Sequence, residues 1–253
     1  MDRTTRDYAP VNGLRMYYEI HGVPHPSHPP LVLLHGGGDT IATSFGKVLP
    51  ILARGRQVIA FEQQGYGRTA DVAGRPFAFE QSADDTVALL QHLNITQADL
   101  MGFSNGGTIA LQVALRHPQI VRKLIMISAF TRRTDPDPQF WGGFANATLN
   151  DMPKELRDAY LAVSPNADGL QAMFDKSVNR MRNFKDIPDD AVRGVVAPVL
   201  IMIGDRDVVR PEAAVEQFRL FRDARLAIVP GSDHGLLMTS TAAIVPMIDD
   251  FLA

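Results

Sequence analysis

The chain contains no cysteine, which excludes disulfides, thiolate metal sites and a cysteine nucleophile together. Tryptophan occurs once, and aromatic residues make up only 8% of the 253 residues. No apolar run approaches the roughly 20 residues of a membrane span. The opening Met1-Asp2-Arg3-Thr4-Thr5-Arg6-Asp7 is too polar for a signal peptide. Neither sign of charge dominates: 25 Lys and Arg stand against 28 Asp and Glu, a net charge of −3. Such a balance supplies no basic field for nucleic acid or an anionic membrane. Repeats and low-complexity tracts are also lacking. These absences predict a cytoplasmic protein, monomer or homodimer, whose partner is a small-molecule substrate and which needs no metal or other cofactor.

What is present is ordinary for a globular chain. Apolar residues reach 45% and charged residues 21%, enough to bury a sizeable core. The length suits one large α/β domain or two small ones.

The chain is organised around Gly102-Phe103-Ser104-Asn105-Gly106. Ala98 to Met101 before it reads as a buried strand; Gly107 to His117 after it reads as a helix closed by Pro118. A Gly-x-Ser-x-Gly between strand and helix is a nucleophile elbow, which holds its serine at strained backbone angles above the sheet. Small residues two before and two after are required, because a Cβ there would collide with neighbouring backbone. The helix that follows aims its free N–H groups at the reacting centre.

Toward the N-terminus, Tyr8 to Val11 and Leu14 to Ile20 predict a hairpin turned at Asn12-Gly13. His21, His25 and His28 fall in a stretch with four prolines, His21 to Pro30, and read as a solvated loop rather than a metal site. Pro30 to Leu34 is a strand buried on both faces, and it ends in His35-Gly36-Gly37-Gly38. That run resembles the HGGG-type segment that completes an oxyanion hole in esterases and lipases. It lacks the Lys-Ser/Thr of a P-loop and the spacing of a dinucleotide fingerprint. His35 is expected to brace the loop rather than shuttle protons.

Further strands are predicted at Val58 to Phe61, Lys123 to Ser128, Val196 to Ile203 and Arg225 to Val229, with a helix over Asp84 to Leu93. Apolar strands separated by helices imply a parallel sheet covered on both faces. Between Thr131 and Arg193 no buried strand is expected. The helical patches there carry Phe140, Trp141, Phe144, Met152, Leu156, Met173, Phe174 and Met181, which suits a helical cap over an apolar pocket, or else a layer packed for stability. The division is therefore a core of 1–130 and 194–253 with a cap of 131–193.

Carboxylates follow one late strand in Gly204-Asp205-Arg206-Asp207, and a histidine follows the last in Gly231-Ser232-Asp233-His234. This completes the order Ser…Asp…His. With Gly65-Tyr66-Gly67-Arg68-Thr69, these segments make the sequence similar to the α/β-hydrolases along nearly its whole length. The resemblance implies an α/β fold with a mostly parallel eight-stranded sheet, helices on both faces and an inserted helical cap. It implies Ser104 as nucleophile, His234 as base and Asp207 as the orienting acid, with Gly37 and Asn105 supplying the oxyanion hole. Gly38, Phe130, Phe140 and Trp141 are expected to contact substrate. Asp205 is expected to bond its own turn, and Asp233 lies too close in sequence to serve His234. Glu62 stands where the family usually has aspartate, and Thr69 where serine is commoner. A serine nucleophile points to acyl transfer, on a small carboxylic ester or lactone. The rivals on this fold are C–C bond hydrolysis of dienone-type products, perhydrolysis, and a ligand-binding member without catalysis.

Overall fold

A computed structural model describes residues 4–253. The hairpin forms as β1 (Thr4–Val11) and β2 (Leu14–His21), with Asn12 and Gly13 at positive φ in the turn. Next come β3 (Leu31–Leu34), the short helices α1 (Ile41–Phe45) and α2 (Leu49–Leu52), and β4 (Val58–Phe61). The centre of the chain holds α3 (Phe79–His92), β5 (Ala98–Phe103), α4 (Asn105–Arg116) and β6 (Val121–Ile127). A wholly helical stretch follows with α5 (Pro138–Ala145), α6 (Lys154–Val163), α7 (Gly169–Arg182) and α8 (Asp189–Arg193). The chain closes with β7 (Val199–Gly204), α9 (Pro211–Leu220), β8 (Ala224–Val229), α10 (Leu236–Thr239) and α11 (Thr241–Leu252).

Among the described residues eight strands form one sheet in the order β1-β2-β4-β3-β5-β6-β7-β8. The hairpin pairs antiparallel to β4, and every pairing from β4 to β8 is parallel. Strands β3 to β5 are buried at every position, as expected where helices cover both faces. The edge strand β8 is half-exposed over most of its length. Two apolar cores sandwich the sheet: one lies against α3, α4 and α9, the other against α1, α2 and α11. A third, smaller core joins Tyr66 and Phe77 to Met152, Tyr160, Met173 and Phe174 of the helical stretch. Among the described residues no helix is long and apolar enough to cross a membrane.

One sequence reading is corrected here. His21 does not belong to a solvated loop: it ends β2, is 9% exposed, and its Nε2 lies 2.8 Å from Glu19 Oε2. The alternation of the hairpin runs one residue further than its apolar pattern shows, because this face of β2 is completed by a polar pair.

A buried ion cluster anchors the bottom of the sheet. Asp99, fully buried in β5, takes two bonds from Arg122 at 2.8 and 2.6 Å and a third from Arg56 at 3.4 Å. Arg122 also reaches the Leu252 carbonyl at 2.8 Å, tying β6 to the end of α11. Removing one partner of a buried pair leaves the other charge uncompensated, at about 3–5 kcal/mol. Asp99→Ala is therefore expected to lower the melting temperature by about 10 °C, measured by circular dichroism. A fall of only a degree or two would show that the arginines find water instead.

Candidate active site

Ser104 stands between β5 and α4 at φ 52°, ψ −120°, a backbone region that side chains rarely occupy. Its own N–H is held by the Ile127 carbonyl at 2.8 Å, and its carbonyl accepts from Gly107 and Thr108. The flanking glycines are sterically obligatory. A Cβ on Gly102 would come within 2.1 Å of the Gly106 carbonyl oxygen, and one on Gly106 within 2.0 Å of the Leu34 oxygen. The elbow thus presses directly on the end of β3.

The loops after β3, β5, β7 and β8 all leave the same edge of the sheet, where ligand sites of parallel sheets form. There His234 Nε2 faces Ser104 Oγ at 3.1 Å, and His234 Nδ1 lies 2.8 Å from Asp207 Oδ1. A carboxylate can only accept, so Nδ1 carries the proton and Nε2 is left to accept from the serine hydroxyl. Burial pushes the Asp207 carboxyl up, but bonding and charge from His234, the Ser128 hydroxyl and the Val209 N–H outweigh it and hold it below the usual range. Ser128 Oγ donates to Asp207 Oδ2. Ser128 is itself fully buried just past β6, at φ 53°, so the line of three groups begins at one positive-φ serine, Ser104, and a second lies just beyond its other end.

The turn bonds expected of Asp205 belong instead to Asp207, which accepts from Val209 N at 3.2 Å and Gly204 N at 3.4 Å. Asp205 is exposed, because its side chain leaves the strand on the solvent side. Asp233 accepts from Gly235 N at 2.8 Å, bracing the loop that carries His234.

A cavity of about 370 Å³ opens over Ser104. Gly37, Gly38, Asn105 and His234 form its floor; Phe140, Phe144, Met152, Leu156, Phe174 and Met181 form its walls. Gly37 packs so tightly on Asn105 that a Cβ there would lie 2.3 Å from the amide nitrogen Nδ2. Asn105 opens α4, so its backbone N–H has no partner inside the helix and is free for a ligand. Phe130 and Trp141, expected against substrate, do not line this cavity. Trp141 turns away to donate from Nε1 to the Arg133 carbonyl at 2.6 Å, beneath the Arg133 guanidinium 4.2 Å above its ring. Phe130 is buried among Phe140, Trp141 and Phe184. Aromatic side chains close in sequence have found each other here instead of a ligand.

A second compartment, about 260 Å³, lies on the other side of Ser104. It shares Gly37, Ser104, Leu156 and His234 with the first and adds Asp39, Thr43 and Ser44. Sequence reasoning missed Asp39, although its place directly after the glycine run was a signal. Burial pushes its carboxyl up, against the Thr43 and Ser44 hydroxyls and the charge of His234.

His35 is fully buried and braces the glycine loop. Its Nδ1–H donates to the Gly36 carbonyl at 2.8 Å, and its Nε2 accepts from Gln63 N–H at 3.0 Å. The family departure at Glu62 is also accommodated. Its carboxylate accepts from Arg68 N at 2.5 Å and Arg68 Nη1 at 2.8 Å, while its carbonyl accepts from Thr69 Oγ1 at 2.6 Å. Among the described residues no group of three or more His, Asp or Glu is placed to hold a metal ion.

The chain belongs to the α/β-hydrolase fold family: the family described as "alpha/beta hydrolase fold" matches residues 29–193. That match ends before Asp207 and His234, whose placement rests on the geometry above. Among known proteins, the chain is similar to 2-hydroxymuconate semialdehyde hydrolase of Pseudomonas sp. strain CF600, at 27% identity over 88% of this chain and 87% of that one. It is also similar to the human serine hydrolase BPHL, at 28% identity over 96% and 84%. In three dimensions it superposes on 2-hydroxy-6-oxo-6-phenylhexa-2,4-dienoate hydrolase from Rhodococcus sp. strain RHA1 with a TM-score of 0.81, at 18% identity over 99% of each chain.

The His35 environment has a pH signature. Burial pulls its pKa from 6.5 down to about 4, against the Gly36 bond and with help from the Arg180 charge. The unfolded chain then binds a proton that the folded chain refuses, so this stability is full above pH 6.5 and falls as pH drops toward 4. Between pH 7 and pH 4.5 the loss is about 2–3 kcal/mol. His35→Gln should flatten the acid limb by that amount in urea titrations at the two pH values. An unchanged limb would mean that His35 takes up its proton without leaving the fold.

Proposed function

We propose that the protein is a serine hydrolase that cleaves a small, uncharged carboxylic ester or lactone through an acyl-serine. The supporting observation is the Ser104–His234–Asp207 line at the floor of an apolar cavity with no Lys or Arg among its described lining residues. In this reading His234 takes the Ser104 proton as Oγ attacks the substrate carbonyl, then returns it to the leaving alcohol. The tetrahedral oxyanion is met by the Gly37 and Asn105 N–H groups. Asp207, ionised and held by the Ser128 hydroxyl and the Gly204 and Val209 N–H groups, keeps the imidazole in the productive tautomer and stabilises it once protonated. Water then repeats the sequence on the acyl-serine and releases the acid.

The two compartments beside Ser104 fit the two halves of an ester. The larger, under α5 to α7, takes the acyl part; the smaller, with Asp39, Thr43 and Ser44, takes the alcohol. The helical stretch 131–193 acts as a cap, since its side chains form most of the acyl wall. C–C bond hydrolysis is the second reading, because similar proteins are named as hydrolases of a hydroxymuconate semialdehyde and of an oxo-dienoate. A dienoate substrate brings a carboxylate, however, and among the described lining residues the one Asp, Glu, Lys or Arg is the acidic Asp151. An anion there meets repulsion rather than a partner, which favours the neutral ester.

A screen of p-nitrophenyl esters of increasing acyl length, with lactones and a ring-cleavage dienoate alongside, tests the assignment. Turnover of esters or lactones at least a hundredfold above the dienoate is expected; the reverse order would transfer the protein to C–C chemistry. Ser104→Ala should cut kcat by about 10⁶-fold, with loss of fluorophosphonate labelling. Asp207→Asn should cost about 10⁴-fold through the wrong imidazole tautomer.

The cap makes a separate prediction. Phe140→Ala enlarges the acyl compartment and should shift the preferred chain length upward by two or more carbons. Trp141→Ala removes a packed indole from outside the cavity, so it should lower the melting temperature and leave the preference alone. If Trp141→Ala were the variant that altered preference, the cap would sit differently over bound substrate.

A further inference from the structure

Behind α7 lies another cavity, of about 300 Å³, that shares no lining residue with the one over Ser104. It is bounded by the start of α3, the outer face of α4 and the C-terminal half of α7. Arg180 of α7 lines it, yet only 4% of that residue is exposed. One of its nitrogens, Nη2, donates to Tyr66 Oη at 3.0 Å. The other two, Nε and Nη1, are buried and have no hydrogen-bond partner among the described residues. A guanidinium keeps its charge at any pH a folded protein survives, and a buried charge without a partner is among the costliest features a fold can carry. The rings of Phe79, Tyr66 and Phe77, 5.0, 5.8 and 5.8 Å from its central carbon, offset part of that cost but accept no N–H bond.

The same cavity receives a second positive element. Pro76 to Glu80 line it where the 14-residue α3 begins, and the N-cap residue Ala78 makes no side-chain cap. The first N–H groups of that helix and the positive end of its dipole are therefore uncapped at the cavity wall. Lys185 adds a cation at the rim, and Thr108 and Gln112 of α4 add neutral polar groups. The remaining wall is apolar, with Phe77, Phe79, Phe184 and Ile187 all buried.

We propose that this cavity is a binding site for a small monocarboxylate with an apolar body, anchored by Arg180. A carboxylate accepts charge-assisted N–H bonds, and Arg180 leaves two nitrogens, Nε and Nη1, without an acceptor among the described residues. Exposed Glu80 at the same rim weighs against a dianion such as phosphate. The apolar wall accommodates a phenyl ring or a short alkyl chain, and a volume near 300 Å³ is at the small end of ligand sites. The site also has a route to the reaction cavity: Tyr66 Oη, which Arg180 holds, lies 2.6 Å from Ser177 Oγ, and Ser177 lines the cavity over Ser104. A carboxylate seated on Arg180 thus bears on α7, which supplies one wall of the acyl compartment. This inference stands apart from the chemistry at Ser104 and does not require it.

Isothermal titration of the intact protein with benzoate, hexanoate, benzyl alcohol and inorganic phosphate tests the proposal. Benzoate or hexanoate should bind at a single site, at least tenfold tighter than benzyl alcohol and tighter than phosphate. Trp141, the only tryptophan, packs 5.5 Å from the Phe184 ring of the cavity wall, so its fluorescence should change on titration. Arg180→Met should abolish carboxylate binding. Gln112→Trp fills the cavity from α4 with the guanidinium intact and should weaken binding at least tenfold, which decides the matter if Arg180→Met fails to fold. Three results would each overturn the proposal: no saturable carboxylate binding by the native protein, benzyl alcohol or phosphate binding as tightly as benzoate, or benzoate affinity unchanged in Gln112→Trp.

Discussion

The structure depends on one close approach, the contact of the Ser104 turn with the ends of its neighbouring strands. Gly106 sits against the Leu34 and His35 carbonyls, and Gly102 against the first turn of α4. No side chain fits at either point, so the register that sets Leu34 opposite Gly102 is a steric condition on the elbow as well as a hydrogen-bond pattern. The cost of holding Ser104 at positive φ is of order 1–3 kcal/mol. It is tolerated because Ile127, Gly107 and Thr108 all bond the serine backbone. A turn held from so many directions keeps its hydroxyl in one place without help from a ligand.

The other groups of the site inherit their positions from the same sheet edge. Ser128 extends β6 just beyond Ile127, takes a backbone bond to Met202, and donates its hydroxyl to Asp207. The end of β6 therefore fixes Ser104 through Ile127 and Asp207 through Ser128, one residue apart. Gly204 completes the arrangement: a Cβ there would lie 2.1 Å from the Ser232 carbonyl oxygen. The loops carrying Asp207 and His234 are thereby pressed together as they leave β7 and β8. Three side chains 27 to 130 residues apart in sequence meet because the neighbouring parallel strands β5 to β8 end at one edge of the sheet.

Much of this was legible in the sequence, for a physical reason. A turn that needs glycine at two fixed places, a strand buried on both faces and a helix opened by a tight turn all leave local marks. The strands around Ser104 and the loops bearing Asp207 and His234 could accordingly be read off residue by residue. What escaped depends on which of several equal partners a side chain meets. Trp141 and Phe130 were as apolar as Phe140, and only the packing of α5 on Phe184 decides that Phe140 alone faces the cavity. The pairing of His21 with Glu19 was hidden because the prolines after it suggested a loop. Asp39 and Arg180 were hidden for the opposite reason: aspartate and arginine are so common on surfaces that burial alone distinguishes them.

The three apolar cores also separate the Ser104 turn from the cavity wall. The two large ones pack the sheet and hold the Ser104–His234–Asp207 line, and few of their side chains enter the cavity. The third joins Tyr66 and Phe77, from the loop after β4, to Met152, Met173, Phe174 and Val178 of the helical stretch. Four of those six residues, all in the helical stretch, line the cavity wall directly. Substitutions in this small core can reshape the wall while the sheet, and with it the Ser104 turn, keeps its own packing. Because Lys176 of α7 bonds Asp71 at 2.6 Å and the Val72 and Arg75 carbonyls at 3.0 and 2.8 Å, the helical stretch is tied to the loop after β4. A change in that loop is therefore transmitted to the cavity wall through the core that the loop shares with α7.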